Sequence, residues 1–276
     1  MASLGPRKCL PIFTSRGCPY KCIYCHQVFG KKFRPRSPQN VVTEIKYIKE
    51  RFGVGEFEVL DDIFNFDARR MHETLDLIIE EKLKIKFSFP NGLRGDLLDE
   101  ESIVKLKKAG AIHLCFAVET ASPRLQKLIR KNNKLDKIAR NIEIAYRNRI
   151  YTVGLFMMGF PTETEEELML TMNYALKSKL SQAHFYLVIP FEKTELWELA
   201  QKYSKYPIEE FYLQDYSLND FDLSEVEINL LHKIHKQCYR RFYLNPKRLL
   251  GLISVHPYKL ALFRYIYLFI RRALGF

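Results

Sequence analysis

Six short apolar runs alternate with longer amphipathic segments over most of the chain. The runs are rich in β-branched and aromatic residues, which favour strands, and they occupy 10–14, 57–60, 85–89, 112–118, 152–158 and 185–189. Between them, apolar residues recur at the three- and four-residue spacing of an amphipathic helix. The alternation predicts an α/β protein in which helices join parallel strands. Six such units are too few for a closed eight-stranded barrel, so we expect an open six-stranded barrel or a doubly wound sheet.

Several predicted helices carry their own start signals. Ser37 and Ser122 each stand before a proline, a residue that favours the first position of a helix. Thr164 is followed three residues later by Glu167, which is the spacing of a capping box. These signals support the alternating pattern independently of its apolar periodicity.

The composition is that of an ordinary globular protein, since 47% of the residues are hydrophobic and 28% are charged. This excludes collagen-like and disordered chains. No run of about 18 apolar residues occurs, because Arg264 interrupts the longest candidate. The N-terminal residues form no hydrophobic signal core. We therefore expect a cytoplasmic location, in which thiols stay reduced.

The net charge of +12 is concentrated near the C-terminus. Residues 231–276 contain ten of the 44 Lys and Arg residues. They contain none of the 32 Asp and Glu residues. The rest of the chain carries 34 basic against 32 acidic residues and is almost neutral. This shift, with the irregular stretch 203–221 before it, predicts a core over 1–200 and a basic, mostly helical C-terminal extension over 201–276.

The extension ends in an amphipathic segment in which Lys259, Arg264, Arg271 and Arg272 interrupt apolar residues. Such a segment can pack its apolar side onto the core. It also suits peripheral contact with an anionic membrane, or a lipid-like substrate. Cations interleaved with tyrosines suit nucleic acid as well. The pattern favours packing first and nucleic acid least.

Polar residues, glycines and prolines directly follow the predicted strands. Because the carboxyl ends of parallel strands meet at one edge of a sheet, these residues are expected to share a site. Turn residues are common at strand ends in any protein, but here cysteines are among them. The residues concerned include Cys18, Asp61, Asp62, Arg94, Glu119, Gly159 and Pro161.

Three cysteines, Cys18, Cys22 and Cys25, lie within eight residues after the first predicted strand. This spacing is poor for disulfides and good for a metal centre. Three thiolates suit a 4Fe-4S cluster in which one iron lacks a protein ligand and can bind a substrate or cofactor. The alternative is a zinc ion held by the three cysteines and His26, although adjacent residues seldom both reach one tetrahedral ion without distortion.

The motif CxxxCxxC after a first strand, with Tyr24 before its last cysteine, resembles the signature of the radical S-adenosylmethionine superfamily. The resemblance covers about residues 9–195 and includes the segments 14–19, 36–38, 61–62, 119–122 and 159–164. These segments are similar to the branch whose members usually carry an N-terminal cobalamin-binding domain, among them methyltransferases and ring-forming enzymes. The resemblance implies an open, partial (β/α)6 TIM-like barrel. Since the first strand begins close to Met1, we expect no cobalamin-binding domain in this chain.

In that superfamily the open iron chelates the amino and carboxylate groups of S-adenosylmethionine, and one electron from the cluster cleaves the cofactor to a 5'-deoxyadenosyl radical. The chemistry of this cofactor suggests roles for the strand-end residues. Asp61 and Asp62 are placed to accept from the amine, and Arg94 and Glu119 to complete the methionyl and ribose contacts. Tyr24 is expected to line the adenine site.

The backbone near Gly159 and Pro161 is expected to form the rest of that adenine site. Each role has a plainer alternative: Asp61 and Asp62 can cap the helix that follows, and Arg94 can be a solvated loop residue. No residue is assigned to hydrogen abstraction or to quenching of a product radical.

The resemblance thus implies a radical S-adenosylmethionine enzyme that acts on an unidentified small-molecule or lipid-like substrate. Methyl transfer with cobalamin supplied by another chain is the favoured outcome. The one-electron step implies a flavodoxin or ferredoxin as electron donor. Two alternatives stay open: an RNA-modifying relative, for which the upstream cysteines of a second cluster are missing, and a non-enzymatic zinc-binding module.

Overall fold

The structure is a computed structural model that describes residues 8–26, 28–204 and 222–259. Its strands are β1 (Cys9–Ile12), β2 (Ser15–Arg16), β3 (Arg34–Pro35), β4 (Glu56–Val59), β5 (Lys86–Leu93), β6 (Ala111–Glu119), β7 (Tyr151–Met158) and β8 (Gln182–Leu187). Six of them form one parallel sheet in the order β1-β4-β5-β6-β7-β8. A doubly wound sheet would require a reversal of strand order. The order here follows the chain, so the α/β fold and its partial-barrel topology are confirmed.

Helices lie between the strands of this sheet and follow β8. They are α1 (Pro38–Phe52), α2 (Ala68–Glu80), α3 (Glu100–Ala109), α4 (Pro123–Leu128), α5 (Leu135–Arg147), α6 (Glu165–Lys177), α7 (Glu195–Tyr203), α8 (Ile228–Tyr243) and α9 (Pro246–Val255). The predicted start signals are confirmed. Ser37 and Ser122 cap α1 and α4, and Thr164 forms the capping box of α6 with Glu167.

The main core lies between the helices and the outer face of the sheet. Alternate strand residues such as Phe57, Phe87, Leu114 and Phe156 point outwards and are almost fully buried there. The intervening residues point to the inner face of the open barrel, because side chains alternate along a strand. Sheet and helices therefore bury one apolar layer and leave the inner face available for polar groups.

Helix α9 covers the inner face of the sheet along the amino halves of the central strands. Cys115 of β6 and Val153 of β7 form a buried cluster there with Leu252 and Val255 of α9. Two residues further along each of these strands, Ala117 and Leu155 face a cavity instead. The amino halves of the central strands thus hold packing contacts, and their carboxyl ends hold open space.

Helix α8 covers the edge of the sheet at β8. The Tyr239 hydroxyl is 3.0 Å from both the amide nitrogen and the carbonyl oxygen of Phe185, and Tyr243 makes the same pair of contacts with Ala183. These side chains satisfy backbone groups that an uncovered edge strand would expose. A division at residue 200 stays a prediction, and residues 260–276 lie outside the described part of the chain. Among the described residues, the helices are too short or too polar to cross a bilayer.

Candidate functional site

The cysteine loop begins at Gly17, where a larger residue would clash with the backbone. Gly17 has a positive φ of 81°, and a Cβ atom there would lie 2.2 Å from the carbonyl oxygen of Lys32. Its amide donates to Asp62 Oδ2 at 2.8 Å, and the next amide, of Cys18, donates to the carbonyl of Gly30 at 3.3 Å. β2 and β3 pair on either side of this loop. The chain therefore turns sharply after β1 and holds the loop over the carboxyl end of the sheet.

All three predicted metal ligands, Cys18, Cys22 and Cys25, are free thiols that line one cavity. The hydrogen bond from the Cys25 thiol lowers the pKa of Cys22 to about 6 and raises the pKa of Cys25. Burial raises the pKa of Cys18. The loop thus presents at least one thiol that ionises readily, and the thiolate is the form that binds iron.

The donor set suits an iron-sulfur cluster, because three cysteine thiols are the ligands of a 4Fe-4S cluster in which one iron is open. Among the described residues, no three His, Cys, Asp or Glu side chains gather closely enough to hold one metal ion. His26, the proposed fourth zinc ligand, packs its ring against that of Phe191 with 4.5 Å between the centroids.

Glu119 and Tyr24 meet beside the cysteines, and their predicted contacts with the cofactor stay a prediction. Glu119 ends β6 with a positive φ of 66° and is buried. The Tyr24 hydroxyl donates to Glu119 Oε1 at 3.1 Å, and Lys131 Nζ donates to the same oxygen at 3.1 Å. A non-glycine residue in the left-handed region is strained, and such strain persists where the surroundings fix the side chain.

Lys131 is the main site residue that the sequence analysis missed. It follows α4, outside any strand end, and only the basic pair Arg130–Lys131 marks it in the sequence. Burial lowers the pKa of its ammonium group, but the neighbouring Glu119 and the cysteine thiolates outweigh burial and raise it. Lys131 therefore stays charged at neutral pH and gives the cavity a buried cation.

The backbone around Lys131 is tightly held. Its neighbours Arg130 and Asn132 both have positive φ, at 55° and 51°. Arg94 Nη2 donates to the carbonyl oxygen of Lys131 at 2.7 Å, and the Gln126 carbonyl accepts from the amides of Lys131 and Asn132. Several independent bonds thus stabilise a strained segment that aims one lysine into the cavity.

Arg94 is a buried residue, so the solvated-loop alternative is wrong. Its side chain is 9% exposed, pairs with Asp96 at 3.1 Å and lies 4.0 Å from the ring centroid of Tyr20. It also lines the cavity, and its Nη1 atom is buried without a partner among the described residues. Arg94 therefore both supports the Lys131 segment and offers one unused donor.

The two adjacent aspartates have different surroundings. Asp61 is 2% exposed and accepts three short bonds, from the amide and hydroxyl of Thr14 and from the hydroxyl of Ser15. It does not line the cavity, so the structure gives it a positioning role at the end of β1 instead of the predicted contact with the cofactor amine. Asp62 is exposed and does line the cavity. The capping alternative is wrong for both, since Asp67 caps α2.

Gly159 and Pro161, predicted to form the adenine surface with Tyr24, also lie outside the cavity lining. Gly159 turns the chain with a φ of 89°, and a Cβ there would lie 3.1 Å from Leu231 of α8. The amides of Gly159 and Phe160 instead donate to Glu163 Oε2 at 2.5 and 3.0 Å. The loop after β7 is thus folded against α8 and around the buried Glu163. Phe160, whose ring packs near that of Tyr24, connects it to the site.

The cavity itself measures about 230 Å³. Its lining combines the three thiols, charged side chains of both signs, aromatic rings and a small apolar floor. The described lining residues are Cys18, Tyr20, Cys22, Tyr24, Cys25, His26, Phe29, Gly30, Lys31, Asp62, Ile63, Asn91, Gly92, Leu93, Arg94, Ala117, Glu119, Lys131 and Leu155. This arrangement suits a metal cluster next to a zwitterionic ligand.

Comparison with known proteins identifies the class. The model of the radical SAM superfamily matches residues 12–175, which is more than half of the chain. The chain therefore belongs to the radical SAM superfamily, a family of enzymes that bind a 4Fe-4S cluster and S-adenosylmethionine. This membership removes the non-enzymatic zinc-binding alternative.

The chain is similar to several curated proteins. An uncharacterized methyltransferase of Pyrococcus horikoshii is 29% identical over 89% of the chain and 53% of its own length. An anaerobic magnesium-protoporphyrin IX monomethyl ester cyclase of Rubrivivax gelatinosus is 26% identical over 88% of the chain and 43% of its own length. The chain thus spans about half the length of these curated relatives.

Among solved structures, the fold is similar to that of the radical S-adenosylmethionine methyltransferase TsrM from Kitasatospora setae. The TM-score is 0.63 at 19% identity, over 70% of this chain and 39% of that one. At this identity the likeness shows the fold alone. It agrees with the partial barrel that the strand order indicates.

Proposed function

We propose that the chain holds a 4Fe-4S cluster on Cys18, Cys22 and Cys25 and binds S-adenosylmethionine in the adjoining cavity, which it cleaves reductively to a 5'-deoxyadenosyl radical. The cluster, when bound, supplies the single electron for this cleavage and an open coordination position. The observation that carries the proposal is that the three thiols open into the same cavity as the mostly buried Tyr24–Glu119–Lys131 group. Cations and acceptors of suitable charge thus stand beside the cluster ligands.

The charged lining residues match the charges of the methionyl group. Lys131 provides a mostly buried cation for the carboxylate. Arg94 provides a donor, Nη1, that has no hydrogen-bond partner among the described residues. Asp62 provides an exposed carboxylate for the ammonium group. Glu119 has one oxygen bound by Tyr24 and Lys131, and its second oxygen is available to accept from a ribose hydroxyl.

The floor of the cavity is apolar and would help to keep water away from the reacting atoms. Ala117 and Leu155 are apolar, and Gly92 packs over them with a φ of 91°. A Cβ on Gly92 would lie 3.2 Å from the Cβ of Ala117, so glycine allows close contact here. Exclusion of water protects a reactive radical from side reactions.

Methyl transfer, with cobalamin supplied by another chain, is the outcome we propose for the whole reaction. Its support is the methyltransferase name of the Pyrococcus relative and the cobalamin bound by the TsrM structure. A flavodoxin or ferredoxin would supply the electron, in the cytoplasm. The substrate would be a small or lipid-like molecule.

The proposal is tested by anaerobic reconstitution with iron and sulfide, followed by addition of S-adenosylmethionine and a strong reductant. We expect about four irons per chain and the formation of 5'-deoxyadenosine and methionine. Cys22→Ala should lose the cluster and the cleavage. Cys9→Ala, which changes a cysteine outside the cavity, should retain both. Undiminished cleavage by the Cys22→Ala protein would contradict the assignment.

The methyl-transfer step needs a separate assay. Addition of cobalamin, reduced to cob(I)alamin by the same strong reductant, should lead to methylcobalamin and S-adenosylhomocysteine, because the reduced cobalt takes the methyl group from the sulfonium. Formation of 5'-deoxyadenosine with no methylated cobalamin would keep the radical chemistry and reject methyl transfer.

A further inference from the structure

The β2–β3 hairpin, beside the cysteine loop, carries a concentration of positive charge. No Asp or Glu precedes Glu44 in the sequence, whereas eight of the 44 Lys and Arg residues do. Three of these cations are exposed on the hairpin and on the segment that leads into β3, namely Arg16, Lys32 and Arg34. None of the ion pairs found in the described part of the chain includes any of the three. The hairpin therefore presents positive charge to solvent.

Two of these cations stand opposite each other in the hairpin. Arg16 of β2 is the register partner of Arg34 of β3. Side chains that are directly opposite in an antiparallel pair project from the same face, and like charges there repel each other. Arg34 Nη2 donates to the carbonyl oxygen of Phe29 at 2.8 Å, and the Arg16 guanidinium lies 5.8 Å from the centroid of the Phe29 ring. Both arginines are thus held at Phe29, and a negatively charged partner would relieve their repulsion.

These residues adjoin the first cluster ligand of the proposed function. We call the surface of Arg16, Phe29, Lys32 and Arg34 the hairpin surface. The carbonyl oxygen of Gly30, which follows Phe29, accepts from the amide of Cys18 at 3.3 Å. A Cβ on Gly17 would lie 2.2 Å from the carbonyl oxygen of Lys32. The backbone of the hairpin surface thus contacts the backbone that carries the Cys18 thiol.

The hairpin surface borders the cofactor cavity but is not part of it. Its three cations are not among the residues that line the cavity, whereas Phe29 is. Asp62, the acid bonded to this part of the chain, accepts from the Gly17 amide and lines the cavity itself. A partner held by the three cations would therefore lie close to the cluster and leave the S-adenosylmethionine site open.

We propose that the hairpin surface docks an acidic electron-transfer protein, which delivers the electron that the proposed function requires. The inference rests on that function and deepens it by giving the electron donor a docking site. The reduced carrier of the partner loses one electron and the cluster gains it, with no transfer of atoms. Carboxylates of the partner pair with Arg16, Lys32 and Arg34, and its carrier group is thereby held near Cys18.

Charge and position favour this occupant. An acidic protein matches the three exposed cations, and attraction between opposite charges raises the rate of encounter. Electron-transfer partners need only a small contact area. Because electron transfer slows steeply with distance, the donor gains from a site that contacts the cysteine loop. Nucleic acid would require open ring faces for its bases to stack on, but the Phe29 ring is partly buried and packs against that of Phe13 at 5.7 Å.

The test follows the cleavage of S-adenosylmethionine by the reconstituted chain with two reductants. One is a reduced flavodoxin of negative net charge, and the other is reduced methyl viologen, a small cation. Arg16→Gln with Lys32→Gln should lower the flavodoxin-driven rate about tenfold, which is about threefold for each charge. It should not lower the viologen-driven rate, because neither residue lines the cavity. The flavodoxin-driven rate should also fall as salt screens the charges.

The matched control is Arg51→Gln with Lys108→Gln. These two residues are exposed cations in the last turns of α1 and α3, which end near the amino ends of the strands that follow them. The control should keep both rates. A calorimetric titration of the full chain with oxidised flavodoxin adds a measurement that does not depend on catalysis. In it, the Arg16 and Lys32 double variant should bind about tenfold more weakly than the control.

Several results would overturn the proposal. One is a flavodoxin-driven rate and affinity that are equal in the double variant and the control. Another is an equal loss of both rates in the double variant, which would place these cations in the catalytic site. If the unchanged chain cleaves with neither reductant, the proposed function fails, and the titration alone decides the docking surface. Loss of binding to single-stranded RNA in the double variant, with unchanged affinity for flavodoxin, would assign the surface to nucleic acid.

Discussion

Replacement of Lys131 by methionine should destabilise the protein even without its cofactors, because Glu119 would remain buried without its cation. The Lys131 and Glu119 side chains are 13% and 10% exposed, and their charged atoms are 3.1 Å apart. With an effective dielectric constant of about 20, the attraction at this distance is about 5 kcal/mol before the cost of desolvation. Breaking a buried pair by removing one partner costs about 3 kcal/mol.

The measurement is the free energy of unfolding of the metal-free chain in urea under anaerobic conditions. Lys105→Met is the matched control, since Lys105 pairs with Asp76 at the similar distance of 3.0 Å but with side chains 21% and 46% exposed. That change should cost less than about 1 kcal/mol. The double variant Lys131→Met with Glu119→Gln should be more stable than the sum of the two single changes predicts, by about 2 kcal/mol.

Two results would refute this reasoning. One is a loss for Lys131→Met no larger than that for Lys105→Met. The other is strict additivity of the two single changes in the double variant. Either result would mean that the pair is hydrated in solution and that Lys131 is not a buried cation of the cavity.

Three further predictions concern other parts of the site. Gly17→Ala places a Cβ 2.2 Å from the Lys32 carbonyl oxygen, so iron incorporation should fall. Gly30→Ala is the control, because Gly30 has a similar φ of 74° but open space around its Cβ, and it should lose less iron. Asp61→Asn should lower the melting temperature by the equivalent of about 2 kcal/mol, because it weakens the three bonds of Asp61 to Thr14 and Ser15. Asp62→Asn should instead weaken the binding of S-adenosylmethionine, measured by calorimetry. Burial raises the pKa of Glu163 to about 8 from 4.5, so its contribution to stability is complete below pH 4.5 and is lost as the pH rises to about 8. The free energy of unfolding, measured between pH 5 and 8, should show this decline, of order 1 kcal/mol per pH unit. Glu163→Gln should remove the decline. An identical decline in both proteins would reject the assignment.

Local sequence patterns predicted the elements of the fold because the interactions that form them are local. Ser37, Ser122 and Thr164 cap the helices that they were expected to begin, and each cap depends on residues no more than three positions away. The spacing of Cys18, Cys22 and Cys25 likewise predicted a shared metal centre, since one loop carries all three. The hairpin of β2 and β3 was not predicted, because two-residue strands have no periodicity to detect.

The sequence by itself determined that parallel strands alternate with helices and that three thiols follow the first strand. Both features depend on interactions between residues that are close in the sequence. Only the tertiary structure decided which charged residues accompany those thiols. Asp61 and Asp62 are neighbours, yet strand register buries one under Thr14 and leaves the other at the cavity. Lys131 reaches Glu119 only because a strained turn after α4 is held across the ends of two strands. Contacts between residues far apart in the sequence set these positions, so no short segment of the sequence predicts them.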